Sequence, residues 1–163
     1  ISYKEINRKL LLSLGVISFL LWIFYIVLAF ILLGKVVFSA HGILYIVNSL
    51  IFMIVALSLA FLIGNIVNSK TAINGIINVV ALGSSFLCGA FVPMEWLPKY
   101  VLSISHILPS YWYIKTNELI KTMEVISLKN LEPLIVNEIV LFLFMVIFIV
   151  ITNIISKKKR KID

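Results

Sequence analysis

Residues Leu10 to Leu33 read LLLSLGVISFLLWIFYIVLAFILL, a run without a single Asp, Glu, Lys or Arg. A helix needs about 20 residues to cross the hydrocarbon core of a bilayer, with a range of roughly 17 to 25. Only a helix lets a lone segment satisfy its own backbone there. The run therefore predicts a membrane-crossing helix. Three more charge-free stretches follow it: Ile43 to Asn65, Thr71 to Val92 and Ile139 to Ile155. The last is the shortest, and Pro133 or Asn137 offers an earlier start. Buried helices of a soluble bundle would carry a polar face at helical period, and none recurs along these runs. The fold class read from the pattern is all-α, a polytopic membrane protein with four transmembrane helices.

Composition supports the same solvent. Of 163 residues, 62% are hydrophobic and 13% charged, with a mean hydropathy of +1.14; a water-soluble domain runs near half apolar and a quarter charged. The net charge is nevertheless +7. Loops rich in Lys and Arg stay cytoplasmic, and the spans sort the charges sharply. Lys4, Arg8, Lys9, Lys70 and Lys157 to Arg160 with Lys161 fall on one side with only Glu5 and Asp163. On the other, Lys35, Lys99, Lys115, Lys121 and Lys129 balance Glu95, Glu118, Glu124, Glu132 and Glu138. The whole excess lies on one face, which predicts cytoplasmic chain ends and an outer segment from Pro93 to Glu138. Residues 156–163 become a basic cytoplasmic tail. A nucleic-acid surface would need a basic stripe free of such apolar runs, so no nucleic-acid partner is expected.

Several chemistries lack their residues. No acid or base sits within the four spans, which weakens a proton relay or ion path. His41 and His106 stand alone, and the single Cys88 excludes an internal disulfide. Neither HExxH nor a cysteine cluster points to zinc. No G-x-S-x-G elbow or phosphate-binding loop is present. Energy for any transport must come from a partner. The first residue is Ile1 and no leader-type segment opens the chain, which fits a start inside a longer protein.

Small and weakly polar residues recur on helix faces. Ala56, Ala60 and Gly64 repeat every fourth position, as expected where another helix approaches closely. Asn74, Asn78, Ala81, Ser85 and Cys88 form one stripe at steps of four and three. That stripe suits a substrate path or an interhelical hydrogen-bonded seam. Gly15, Ser18, Trp22, Tyr25 and Ala29 give a weaker version on the first span, whose aromatic members suit packing.

The outer segment is the most distinctive. Pro93 disfavours helix at Val92, Pro98 suits the first turn of a new helix, and Pro109 disfavours helix at Leu108. A helix of about three turns from Pro98 to Leu108 is too short to cross, so it is expected to be re-entrant or interfacial. Trp96, Tyr100, Tyr111, Trp112 and Tyr113 suit the headgroup region.

The order helix, Gly89-x-Phe91-x-Pro93-x-x-x-Leu97-Pro98, short apolar helix, Leu108-Pro109 and aromatic cluster, then final helix and basic tail, resembles the permease subunits of type-2 ABC exporters. The specific motif runs from Asn68 to Ile120. That family has six helices, both ends cytoplasmic, and an outer re-entrant hairpin between the fifth and sixth. The resemblance makes the four spans helices three to six and places residues 1–9 and 66–70 on cytoplasmic loops. It implies a transport subunit that is no enzyme and binds no cofactor, in a bacterial plasma membrane. ATP and Mg2+ would bind a separate ATPase subunit. A second permease subunit, like or unlike, would complete the pair. Asn74, Asn78, Ser85 and Phe86 with Ser18 and Trp22 would line the path. Gly89, Pro93, Leu97, Pro98 and Pro109 would form the outer gate, and Lys4, Arg8, Lys9, Asn68 and Lys70 would face the ATPase. The competing readings are a non-transporting membrane protein, such as an immunity or assembly factor, and a secondary carrier, which the absence of inverted repeats weakens.

Overall fold

The computed structural model describes residues 3–159, and every regular element among them is helical. The side chains of Lys4, Lys158 and Lys159, and all of Arg160 and Lys161, lie outside the described residues. The helices are α1 (Tyr3–Leu33), α2 (Ala40–Ile66), α3 (Lys70–Leu87), α4 (Lys99–Ser105), α5 (Pro109–Thr122) and α6 (Leu128–Lys159). Four of them, α1, α2, α3 and α6, are long and apolar enough to cross a membrane.

Local chemistry sets the boundaries. Ser39 caps α2 by accepting from Gly42 N at 3.1 Å, and Ser69 caps α3 by accepting from Ala72 N at 3.4 Å; both hydroxyls satisfy an orphan amide of the first turn. A 3-10 turn, Gly34–Phe38, joins α1 to α2. It lies so close to α2 that a Cβ on Gly42 would collide with the Val37 carbonyl.

The elements differ from the sequence expectation in several places. The third span ends at Leu87 rather than Val92. Gly89 adopts φ +96, and the amides of Ala90 and Phe91 turn back to Ser85 O at 3.1 and 3.2 Å. This glycine stop closes the helix before Pro93 can act. The short helix α4, expected from Pro98 to Leu108, covers only seven residues. Of the aromatic residues expected in a headgroup belt, Tyr111, Trp112 and Tyr113 belong to a separate 14-residue helix, α5, with Pro109 at its first position and Leu108 extended before it, while Trp96 and Tyr100 stand exposed on the 3-10 turn Met94–Trp96 and on α4. The last helix begins at Leu128, more than two turns before Ile139, and runs through Pro133. Ser127 anchors that start by accepting from Asn130 and Leu131 amides at 3.0 Å each. Glu138, counted with the outer loop charges, therefore stands on the last membrane-length helix.

The core is formed where α2, α5 and α6 meet, around Val55, Leu62, Ile120, Leu134 and Leu141, all buried. α1 lies along α2, and α3 leans on α4 and α5 while touching α2 sparsely. Little of α1 is covered: Ile31 and Leu32 are 70% and 74% exposed. In water so much apolar surface would drive association; in lipid it is the solvated face.

Hydrogen bonds fix the relative ends. Asn7 Nδ2 donates to Asn65 Oδ1 at 3.1 Å and to Ser156 Oγ at 3.3 Å, and Ser156 Oγ donates to Asn65 Oδ1 at 3.2 Å. The start of α1, the end of α2 and the end of α6 thus share one end of the bundle. At the opposite end His41 Nε2 lies 2.8 Å from Met123 O, and Tyr45 OH donates to Asn117 O at 3.2 Å.

Candidate functional site

Parts of the small faces read from the sequence, Ala56 and Ala60 of α2 and Ala81 and Ser85 of α3, oppose one another across a cleft of about 440 Å³ between α2, α3 and α5. From α2 it is lined by Phe52, Ala56, Leu59, Ala60 and Ile63. From α3 come Ile77, Val80, Ala81, Ser84 and Ser85, and from the hairpin Ala90, Pro109, Ser110, Tyr113 and Ile114. Small side chains on both walls and the sparse α2–α3 contact leave it open. Its serines on α3 are spent within their own helix: Ser84 Oγ donates to Val80 O, and Ser85 Oγ donates to Ala81 O at 2.8 Å. The cleft presents no charged side chain.

A second cleft of about 510 Å³ lies between α1 and the His41 end of α2. Trp22, Tyr25, Ile26, Ala29 and Leu33 form the α1 wall; Tyr45, Ile46 and Ser49 form the α2 wall; Ser39 and His41 lie at its rim. Trp22 Nε1 donates to Ser49 Oγ at 3.0 Å. Ser49 Oγ in turn donates to Ile46 O at 2.8 Å.

The expected path residues therefore separate. Ser85 lines the first cleft and Trp22 the second. Ser18 is half-buried on α1, in register with Gly15, where a Cβ would meet Leu57 of α2 at 3.8 Å. Asn74, Asn78 and Phe86 are exposed on α3, outside both linings. The expected gate residues come together in one hairpin. Gly89 makes the turn out of α3, Pro93 and Leu97 flank the 3-10 turn Met94–Trp96, Pro98 caps α4, and buried Pro109 opens α5. Because α5 packs against both α2 and α6, the hairpin returns into the bundle. Arg8, Lys9, Asn68 and Lys70 lie at the end marked by Asn7 and Asn65; the Lys4 side chain lies outside the described residues.

A polar rung ties the three core helices. Asn48, 1% exposed, donates through Nδ2 to Tyr113 O at 3.0 Å and to Asn117 Oδ1 at 2.8 Å. Asn137 Nδ2 donates to Thr116 Oγ1 at 3.2 Å, and Thr116 Oγ1 donates to Trp112 O at 2.9 Å. The available signal was Asn48 within the second apolar run and Asn137 two residues ahead of the fourth. It goes unseen when only charged residues are sought in a span. Lys115 lies over the Tyr111 and Trp112 rings, 5.7 and 5.1 Å from their centroids. Cys88 is fully buried at the end of α3, and that burial pushes its thiol up to about 11. Burial likewise raises the Tyr111 phenol, with neighbouring Cys88 adding to the rise. Among the described residues no three His, Cys, Asp or Glu side chains assemble into a metal site.

A family model described as ABC-2 type transporter matches residues 9–117, covering α1 through most of α5. No curated protein and no solved structure matches the chain.

Proposed function

The chain belongs to the ABC-2 type transporter family, and on that premise we propose that it is the permease subunit of an ATP-driven exporter. It contributes the membrane passage; a separate ATPase subunit binds ATP and Mg2+ and docks on the end carrying Arg8, Lys9, Asn68 and Lys70. The charge sorting supports a cytoplasmic position for that end and an outer position for the α4–α5 hairpin, in a bacterial plasma membrane. ATP binding acts by favouring one of two permease states through its differential contacts with them.

The carrying observation is the uncharged cleft between α2 and α3, with Ala56 and Ala60 facing Ala81 and Ser85. Such a lining binds by apolar burial and discriminates by size and shape. Its chemistry favours a lipid-like molecule, an apolar drug or a hydrophobic peptide. Co-expression with the ATPase should give a complex whose ATP hydrolysis changes on assembly, and everted vesicles should accumulate a fluorescent amphiphile on adding ATP. Ser85→Trp fills the cleft and should lower accumulation about tenfold or more while the complex still assembles. Wild-type accumulation by this variant would remove the cleft from the path.

A further inference from the structure

The two clefts lie on the same face of α2. Ile46 and Ser49 line one; Phe52, Ala56 and Ala60 line the other, and steps of three and four residues keep all of them on one side of the helix. They follow one another along α2, the Ile46 cleft nearer the end marked by His41 and the Ala56 cleft beyond it toward Ile63. Tyr113 is the one residue common to both linings. Its ring stacks on Phe52, with centroids 4.4 Å apart and planes 14° from parallel, at the level where one cleft gives way to the next.

We infer that the Phe52–Tyr113 stack is an internal gate dividing one continuous groove into two stations. The inference rests on the export reading above and assigns it a partition distinct from the α3 stripe and from the gate residues Gly89, Pro93, Leu97, Pro98 and Pro109. The support for Tyr113 suits a gate. Asn48 holds its carbonyl at 3.0 Å from a fully buried position, so the backbone is pinned while the ring stays free to leave the stack by side-chain rotation. Opening breaks one aromatic contact, worth about 0.5 to 1.5 kcal/mol beyond its area, and no hydrogen bond in the rung. A barrier of that kind can yield to a passing apolar molecule and reclose behind it.

Site-directed labelling tests the partition directly. Ile46→Cys and Ala56→Cys place thiols on either side of the stack, and buried Cys88 contributes little background. In intact membranes of the assembled transporter, a charged, membrane-impermeant maleimide is added from the side of His41. With both rings present, Ala56→Cys should react at least about tenfold more slowly than Ile46→Cys. Adding Tyr113→Ala, or Phe52→Ala, should bring the two rates within about threefold, and Tyr113→Phe, which keeps the stack, should restore the difference. Equal rates with both rings present would overturn the gate. So would continued protection of Ala56→Cys after both rings are removed. Labelling requires neither ATP nor a known substrate. A failed export assay therefore counts against the exporter reading, whereas a failed labelling pattern counts against the partition.

Discussion

At the scale of single residues, the sharpest consequences follow from Gly89 and Cys88. Gly89 holds φ +96, where an L side chain is strained, and a Cβ there would approach Met94 Cγ to 2.5 Å. Gly89→Ala should therefore destabilise the protein by about 1 to 3 kcal/mol, seen as a lower midpoint of thermal unfolding in detergent. Gly83→Ala is the control. It lies inside α3 with nothing within 4 Å of its Cβ position, and the change relieves backbone entropy worth roughly 0.5 to 1 kcal/mol. Equal losses from both would show that the turn geometry is not what makes Gly89 necessary. Cys88 gives a pH prediction. Burial opposes the thiolate and pushes this thiol up to about 11, and the thiolate is the reactive form. Native protein at pH 8 should react with a small maleimide at least about a hundredfold more slowly than protein unfolded in detergent. The rate should climb with pH past the range where an ordinary thiol has levelled off. Rapid labelling at pH 8 of folded protein would contradict the burial.

At the scale of elements, the rung from Asn48 to α5 holds the re-entrant helix in place. Interhelical polar contacts in membranes average about 0.6 kcal/mol, with a maximum near 1.7. Asn48 serves two acceptors at once, so its coupling to Asn117 should fall in the upper half of that range. A double-mutant cycle of Asn48→Ala and Asn117→Ala, read by unfolding in mixed micelles, measures it. Strict additivity would reduce the rung to two independent contacts. The same elements show what could be read in advance. All four long helices were legible as charge-free runs, because length and hydropathy in a bilayer are nearly sufficient. Pro98 and Pro109 correctly punctuated the hairpin. The early stop at Gly89 was hidden by Pro93, a louder signal that lies beyond it. The true start of α6 was hidden by Lys129, Glu132 and Glu138, which break the apolar run without breaking the helix. α5 was missed because its aromatic residues also fit a headgroup belt; the structure buries Tyr111, stacks Tyr113 on Phe52 of α2 and leaves Trp112 half-buried. For the site, the small faces of α2 and α3 were legible as stripes, but their pairing across a cleft was not. Spacing locates a face on its own helix and says nothing of the helix opposite.

At the scale of the whole molecule, the surroundings of α3 must differ from those of α1. The α3 helix exposes Asn74 and Asn78, on the helix face that carries Ala81 and Ser85 further along, as well as Val79 and Leu82, of which the last two are 72% and 55% exposed. Asn74 lies within about a turn of the helix start and can reach the interface, but Asn78 stands about 12 Å along the axis from Lys70, at a rise of roughly 1.5 Å per residue. A bare carboxamide at that depth finds no partner in hydrocarbon, where an unsatisfied polar group costs several kcal/mol. α1 offers the contrast, since Leu20 and Ile31, 60% and 70% exposed, are well matched to acyl chains. The expected cover for α3 is therefore a second permease subunit, with the amides facing it or water held between the two. A cysteine at Asn78 should form a cross-linked dimer when membranes are treated with a short thiol-to-thiol reagent, whereas one at Leu20 should remain monomeric. Asn78→Leu should leave the chain inserted, because it suits lipid better than the amide does. If Asn78→Cys and Leu20→Cys cross-link equally poorly while the ATPase remains bound, α3 faces lipid and the pairing of permeases must use another surface. If the cross-link forms only at Asn78, the polar stripe of α3 lies between two subunits. That position would make Asn74 and Asn78 part of the shared passage, although neither lines a cleft within one chain.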